Sequence, residues 1–354
     1  MTDAATATLS REMWDYVMGG SGAETTLAAN TAALARVTVT PRVLTGVVEP
    51  DPRALLAGTP AALPVAVAPM AYQRLVHPGG EVAMAGAARA AGVPLVLSTL
   101  SSCRFADVLA AGAETWFQLY CLRDRTRTDE LVDRADELGC RALVVTVDVP
   151  VMARRPRDVR NGFALPEEIG PVNLGDGPTA AHDRAAGTSA IATHTAAEFA
   201  PGLSWDDLDR LRARTRLPLV VKGVLAPEDA RTAADHGADA VVVSNHGGRQ
   251  FDGAPAAVHA LPEVAAAVGD RCQVLVDSGI RTGTDVLRAL ALGASGVLVG
   301  RPLLLGLATG GAPGAESVLV ALREELCEAM LLAGCADVAA ARALRARLGG
   351  CGHE

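Results

Sequence analysis

Side chains suited to acid–base chemistry and to anion binding occur together between Ala240 and Pro255. Ala240 and the three valines after it predict a short buried strand. His246 and Arg249 follow this strand, separated by two glycines that permit a tight turn. An imidazole can take up a proton near neutral pH, and a guanidinium can bind a carboxylate through two parallel hydrogen bonds. The pattern predicts a general base beside an anion-binding group, although an ordinary strand-to-helix turn with a solvated histidine would have the same letters.

Composition excludes several classes of function. The chain has 354 residues, 50% of them hydrophobic, which is enough for a large core. A net charge of −8 without a basic block argues against nucleic acid or an anionic membrane surface as a partner. The seven cysteines form no CxxC pair and no zinc-like cluster, so no metal is predicted. With no secretion signal and no apolar run of roughly 18 residues, we expect a cytoplasmic protein.

Apolar runs and helical patterns alternate from Leu63 to about residue 333. The predicted strands cover residues 63–69, 94–99, 115–120, 142–148, 217–223, 240–244, 273–279 and 295–300. Eight such β/α units predict one α/β domain, a (β/α)8 TIM barrel, over residues 63–333. A doubly wound open sheet is the alternative, but no GxGxxG follows the first strand. Residues 1–62 are expected to form a helical extension, and the aperiodic residues 149–204 a long loop or lid after strand 4.

Almost every predicted strand ends in a polar or charged group, and in a barrel these ends meet at one mouth. Gly279 with Arg281, and Gly300 with Arg301, follow the last two strands, where such barrels usually bind phosphate. Lys222 lies on an otherwise apolar strand, so its charge requires an anion or an electron-rich partner. These residues predict a phosphorylated ligand facing a lysine, next to a histidine base and arginines that bind a carboxylate.

Several longer motifs resemble those of the FMN-dependent 2-hydroxy-acid oxidases and dehydrogenases. They are SNHGGRQFDG, LVVKGVLAPEDA, FQLY, VTVDVP followed by RRPRDVRNGF, and LVDSGIRTGTDVLRALALGASGVLVGRP. The resemblance extends from about Trp14 to Asp337, nearly the whole chain. It implies FMN bound in a (β/α)8 barrel, and a homotetramer. The likeness includes family members of actinobacterial antibiotic pathways, which implies a role in antibiotic biosynthesis.

The resemblance also implies a role for each matching residue. On the substrate side, His246 would be the base, Asp148 would hold it, Arg155 and Arg249 with Tyr16 would bind the carboxylate, and Tyr120 would bind the 2-hydroxyl. On the flavin side, Pro69, Met70 and Ala71 would lie along the ring, Ser98, Gln118 and Thr146 at its edges, Lys222 at N1, Ser244 near the ribityl chain, and Asp277, Ser278, Gly279, Ile280, Arg281, Gly300 and Arg301 at the ribityl chain and phosphate. These roles agree with the chemistry, because the base needs a fixed substrate and reduced flavin needs a cation. Abstraction of the α-proton and hydride transfer both remain open.

Ser278 replaces a glycine that is common in the family, without removing a role. Three other positions bear on the acceptor and the substrate. Ala71 favours O2 as acceptor, giving H2O2, over a quinone or another acceptor. Leu100 and Met152 replace a bulky aromatic residue and a leucine of glycolate oxidase, which would leave room for an aryl group. We therefore expect oxidation of (S)-mandelate or 4-hydroxymandelate. Changed core packing, with an aliphatic acid such as lactate or glycolate as substrate, is the alternative.

Overall fold

An N-terminal extension precedes the barrel in this computed structural model, which describes residues 2–175, 182 and 189–349. The extension contains α1 (Thr2–Thr8), α2 (Arg11–Met18), α3 (Thr25–Arg36), β1 (Thr38–Thr40), β2 (Ala54–Leu56) and β3 (Thr59–Ala61). β2 and β3 pair as an antiparallel hairpin. Trp116 donates from Nε1 to Thr59 Oγ1 of this hairpin at 2.9 Å. The hairpin thereby lies against the barrel interior, at the end opposite the predicted site.

Eight parallel strands form the barrel. They are β4 (Val65–Val67), β5 (Leu95–Ser98), β6 (Thr115–Leu119), β7 (Leu143–Thr146), β8 (Leu219–Val224), β9 (Ala240–Val243), β10 (Gln273–Val276) and β11 (Gly296–Val299). The strand order β10-β11-β4-β5-β6-β7-β8-β9 closes on itself. The predicted (β/α)8 TIM barrel is confirmed, and the open sheet is excluded. Most strands end slightly earlier than predicted, because the polar residues at their C-terminal ends already belong to the loops.

Helices connect the strands and cover the barrel. They are α4 (Gly80–Ala91), α5 (Phe105–Ala110), α6 (Arg125–Glu137), α7 (Pro156–Asn161), α8 (Ala190–Glu198), α9 (Trp205–Arg214), α10 (Pro227–Asp235), α11 (Ala257–Val268), α12 (Gly283–Ala291), α13 (Arg301–Ala333) and α14 (Val338–Arg342). A last strand, β12 (Arg345–Arg347), pairs with β1. The loop expected over residues 149–204 contains α7 and α8, while its residues 176–181 and 183–188 lie outside the described part.

Two helices begin earlier than the sequence pattern predicts. α6 begins at Arg125 rather than at residue 129, because the Asp124 carboxylate accepts a hydrogen bond from Thr126 N–H and caps the helix. α13 begins at Arg301 rather than near residue 316, and non-helical dihedrals at Gly310 and Gly311 divide it into two helices. By length and composition alone α13 could cross a membrane. The kink and the burial of half of its most apolar window are typical of a core helix instead.

The strands are buried on both faces. Valines and other apolar residues alternate between the barrel interior and the layer beneath the helices. The interior contains Ala66, Val96, Trp116, Val144, Val220, Val242, Leu275 and Leu298. This explains why each strand reads as a continuous apolar run instead of an alternating one. The packed interior leaves the C-terminal mouth as the place where polar groups can collect.

The extension lies across that mouth. Asn30 on α3 and Asn245 after β9 exchange two side-chain hydrogen bonds of 2.9 and 2.7 Å. The Asp252 carboxylate accepts from the N–H groups of Ala23 and Thr26. A side chain at Gly279 would lie 2.8 Å from the carbonyl oxygen of Asn30, so glycine permits this close approach. These contacts hold the extension against the ends of β9 and β10.

Close packing of α12 on α13 predicts opposite effects of two glycine-to-alanine changes. A Cβ at Gly283 would overlap the backbone of Leu326 and lie 2.6 Å from the carbonyl carbon of Glu325. We expect Gly283→Ala to lower the free energy of unfolding by about 1–3 kcal/mol. Gly86 in α4 has only Ala312 Cβ near it, at 4.0 Å. Gly86→Ala should raise stability by roughly 0.5–1 kcal/mol. Chemical unfolding measures both, and equal effects would contradict the packing.

Candidate active site

A cleft at the C-terminal ends of the barrel strands brings most of the predicted site residues together. It encloses about 1120 Å³, including its open mouth. Its lining includes Tyr16, Pro69, Met70, Ala71, Ser98, Tyr120, Arg155, Lys222, His246, Arg249, Asp277, Ser278, Gly279, Ile280, Arg281, Gly300 and Arg301. The other predicted residues are Gln118, Thr146, Asp148 and Ser244, which lie behind this lining. Each is hydrogen-bonded to a lining residue or, for Thr146, to Gln118.

His246 and Asp148 form a buried pair. Nδ1 of His246 lies 3.0 Å from Asp148 Oδ1, so the imidazole donates from Nδ1 and its Nε2 is left to accept a proton. Burial lowers the pKa of His246 below 6.5, and Asp148 offsets only part of this effect. Burial raises the pKa of Asp148, but His246 and Lys222 together hold it below 3.8. At neutral pH the pair is therefore a neutral imidazole and a carboxylate.

The backbone around Asp148 is adapted to this pair. Gly223 has φ +113°, and a Cβ there would lie 2.6 Å from the Asp148 side chain. Gln250 donates from Nε2 to the carbonyl oxygens of Asp148 and Val151, at 3.0 and 2.9 Å. Glycine on β8 thus permits the approach, and Gln250 fixes the loop after β7. Neither residue was singled out from the sequence, although Gly223 follows Lys222 directly.

Lys222 is a buried cation with a fixed partner. Its Nζ lies 3.2 Å from Asp277 Oδ2 and donates to Ser244 Oγ at 3.2 Å. Burial lowers the pKa of Lys222, but Asp277 and Asp148 more than compensate, so the net shift is upward. The ammonium group is therefore charged over the whole physiological range. A ligand in the cleft meets a positive charge that does not titrate.

The arginines that the sequence assigns to a carboxylate both line the cleft and influence each other electrostatically. Arg249 lies 5.2 Å from the ring centroid of Tyr16 and donates to the carbonyl oxygens of Tyr16 and Gly19. Burial, and then the charge of Arg155, lower the pKa of Arg249 to about 10. The Nε of Arg155 is buried without a hydrogen-bond partner. Two close guanidiniums of this kind are stabilised by an anion.

Arg281 and Arg301 follow β10 and β11 and line the same cleft. Arg301 donates to the carbonyl oxygens of Val17, Gly19 and Gly247, so it also connects the extension with the turn that follows His246. Burial lowers the pKa of Arg301 strongly, and nearby arginines lower it further. α13 begins at Arg301, and the N-terminus of a helix favours negative charge. The start of α13, with Arg301 and the nearby Arg281, suits a phosphate.

A carboxylate that sequence reasoning missed lies beside Arg155. Asp158 is 2% exposed, and its Oδ2 lies 3.9 Å from Arg155 Nη1 without a hydrogen-bond partner. Burial raises the pKa of Asp158, and the charges of Arg155 and Arg249 offset part of that rise. Its spacing of three residues after Arg155, at the start of α7, was the available signal. Asp158 partly balances the arginine pair.

The charges in the cleft do not balance without a ligand. Asp277 is the single carboxylate among the described residues of its lining. The cations of the same lining are Arg155, Lys222, Arg249, Arg281 and Arg301. A TIM barrel with this mouth, and with a neutral histidine held by an aspartate, defines an enzyme that binds an anionic cofactor beside an anionic substrate.

Comparison with known proteins identifies the family. Residues 5–346 match the family model described as FMN-dependent dehydrogenase. The chain is 54% identical to 4-hydroxymandelate oxidase of Amycolatopsis orientalis over 98% of this chain and 96% of the relative. It is 45% identical to L-lactate oxidase of a Nostoc species, over 93% and 92%. A crystal structure of mandelate oxidase with (S)-4-hydroxymandelic acid is 54% identical and has a TM-score of 0.96, over 98% of this chain and 97% of that one.

The chain therefore belongs to the FMN-dependent dehydrogenase family. The predictions of an FMN-dependent enzyme and of 2-hydroxy-acid oxidation are confirmed at this level. FMN also fits the cleft on physical grounds: Arg281 and Arg301 suit its phosphate, and Lys222 suits the electron-rich ring. Arg155 and Arg249 are the candidates for binding a substrate carboxylate.

Asp158 predicts opposite changes in ligand affinity and in stability. In Asp158→Asn the arginine pair loses its buried counter-charge, so a carboxylate ligand should bind several-fold more tightly. The free energy of unfolding should fall by about 1–3 kcal/mol, because less negative charge then compensates the buried guanidinium groups. Titration with a non-reactive aryl carboxylate and chemical unfolding measure the two effects. Asp15→Asn is the matched control, since Asp15 binds Arg157 and Asn161 of the same helix. Equal ligand affinity in both variants would contradict the role of Asp158.

Proposed function

We propose that the chain oxidises (S)-4-hydroxymandelate or (S)-mandelate to the aryl glyoxylate, with O2 as the acceptor and H2O2 as the second product. One observation carries the proposal: an apolar wall lies in the same cleft as His246 and the arginine pair. Leu100, Val149, Met152 and Ile191 form this wall. A wall of aliphatic side chains and a thioether can accommodate an aryl ring next to a bound carboxylate.

The polar groups fix the substrate for reaction. Arg155 and Arg249 bind the carboxylate, which places the α-carbon near His246. Tyr120 stacks on Phe199, with ring centroids 4.4 Å apart. Burial raises the pKa of Tyr120 well above 10, and the charge of Asp148 raises it further, so its hydroxyl stays protonated and donates to the substrate hydroxyl. These residues orient the substrate without taking part in proton transfer.

His246 then takes up a proton at Nε2. Asp148 stabilises the imidazolium that forms, and the bond to Nδ1 keeps the ring oriented. Either proton of the substrate, from the α-carbon or from the hydroxyl, can reach the same nitrogen. When bound, FMN accepts the two electrons of the substrate and passes them to the acceptor. Lys222 provides a fixed positive charge for the electron-rich ring.

The likeness to L-lactate oxidase keeps an aliphatic substrate as the second candidate. Anaerobic bleaching of the flavin absorbance separates the two substrates. For each substrate, the compared quantity is the rate constant of flavin reduction divided by Kd. We expect this ratio to be at least ~10-fold higher for (S)-4-hydroxymandelate and (S)-mandelate than for L-lactate or glycolate. Faster reduction by the aliphatic acids would overturn the aryl assignment.

A peroxide assay in air then tests the acceptor. About one H2O2 per substrate oxidised supports O2, whereas turnover that requires an added quinone or dye would support a dehydrogenase.

Three further expectations stay predictions: a cytoplasmic location, a homotetramer and a role in antibiotic biosynthesis. The first is supported by the cysteines, since those of the described part of the chain are free thiols. Cys351 lies outside the described residues.

The buried pair predicts how activity changes with pH. Because the base must be neutral and its pKa lies below 6.5, kcat/KM should be flat at neutral pH and fall only under more acidic conditions. Asp148→Asn removes a charge that raises this pKa, so the acid limb should move to lower pH while the maximum rate falls. His246→Gln should lower kcat/KM by about 10²–10⁴-fold. Steady-state rates between pH 4.5 and 8 measure this, and an acid limb above pH 6.5 in the wild type would argue against the assignment.

A further inference from the structure

Ser278 connects the turn that carries His246 with the partner of Lys222. Its hydroxyl accepts a hydrogen bond from Gly247 N–H at 3.0 Å. The same hydroxyl donates to Asp277 Oδ1 at 2.6 Å. Asp277 Oδ2 in turn lies 3.2 Å from Lys222 Nζ. One hydroxyl therefore links the backbone directly after the proposed base to the carboxylate that balances the buried cation.

A second serine completes this connection from the other side. Ser244 Oγ accepts from His246 N–H at 3.0 Å and from Lys222 Nζ at 3.2 Å. The N–H groups of His246 and Gly247 are thus both held by serine hydroxyls that contact the Lys222–Asp277 pair. A ring of hydrogen bonds runs through the base turn, Ser278, the ion pair and Ser244. Ser278 is the member whose hydroxyl donates directly to Asp277.

Ser278 also has a strained backbone conformation. Ser278 has φ +70°, in the left-handed region where a side chain is disfavoured. Gly279 after it, at φ +106°, is free of that cost. Glycine at position 278 would adopt the same conformation with less strain, but it would supply no hydroxyl. The hydroxyl acts as both donor and acceptor in a largely buried position, which offsets the strain.

We propose that Ser278 is a positioning residue that couples the Lys222–Asp277 ion pair to the base turn. By donating to Asp277 it disperses the charge of that carboxylate, so less of the positive field of Lys222 is cancelled at the cofactor. By accepting from Gly247 it fixes the orientation of the turn that begins with His246. The proposal rests on the function proposed above for Lys222 and His246.

Loss of the Ser278 hydroxyl is expected to shift two quantities, the reduction potential of bound FMN and the acid limb of kcat/KM. Asp277 then bears a more localised negative charge, which lowers the reduction potential of bound FMN. The same charge favours the imidazolium, because Asp277 raises the pKa of His246. The acid limb of kcat/KM therefore moves to higher pH, and kcat falls roughly 10-fold. KM changes less than kcat, because Arg155 and Arg249 are untouched.

Ser278→Gly and Ser278→Ala form a matched pair for this test. Both remove the hydroxyl, but glycine relieves the left-handed strain and alanine retains it. A positioning role predicts the same lowered potential and the same shifted acid limb in both variants, with a higher unfolding midpoint for glycine than for alanine. If the role of Ser278 is purely structural, the changes in potential and in acid limb should follow the loss of stability. The glycine variant would then have the potential and the acid limb of the wild type. That result would overturn the proposal.

Ser102→Ala controls for loss of a buried hydroxyl–carboxylate bond. Ser102 donates to Glu81 Oε2 at 2.7 Å, away from the cleft lining. We expect lower stability with unchanged potential and pH profile, and an equal shift of potential would overturn the specific role of Ser278. The potential is measured by reductive titration with dithionite, without substrate. Its result therefore stands even if no 2-hydroxy acid reduces the wild type, an outcome that would overturn the proposed function alone.

Discussion

The excess of buried positive charge at the barrel mouth is the constraint on which the rest of the site depends. Four guanidiniums and one ammonium line the cleft, and their charges lower the pKa values of Arg249 and Arg301 after burial has done so. Concentrated like charges are tolerated only where anions complete the site. FMN supplies a phosphate, and a hydroxy acid supplies a carboxylate. The fold makes this concentration possible, because eight strand ends converge at one mouth.

Within this field, Asp148 raises the pKa values of two neighbours, which nevertheless have different protonation states. Asp148 helps to keep Lys222 charged, yet it does not raise the pKa of His246 enough to overcome burial. A neutral base beside a permanent cation suits a reaction in which a proton leaves the substrate while electrons reach an acceptor near the cation. The arrangement requires Gly223, since a side chain there would collide with Asp148. The position of Asp148 beside His246 thus depends on glycine at position 223.

Much of the fold could be predicted because buried parallel strands are continuous apolar runs, and the polar ends of those runs located the mouth. The first half of α13 was missed because the glycine pair at 310–311 interrupts its pattern. The start of α6 was missed because its first turn is polar and depends on the Asp124 cap. The Asp158–Arg155 contact had a local signal in its three-residue spacing, whereas the contact of Ser278 with Gly247 could not be predicted, since its partner lies 31 residues away on another element. Resemblance gave residue positions, whereas only the coordinates gave the hydrogen-bond partners.

The extension is part of the same electrostatic system. Arg249 and Arg301 donate several hydrogen bonds to the carbonyl oxygens of Tyr16, Val17 and Gly19 at the C-terminal end of α2. Carbonyl dipoles reduce the net field of the two cations without removing their charge, so the cleft stays positive enough for its ligands and the folded chain remains stable. Arg301 also donates to the Gly247 carbonyl, and Ser278 accepts from the Gly247 N–H. The carbonyl and the N–H of Gly247 are therefore both held, which makes the orientation of the neighbouring His246 dependent on Arg301 and on Ser278.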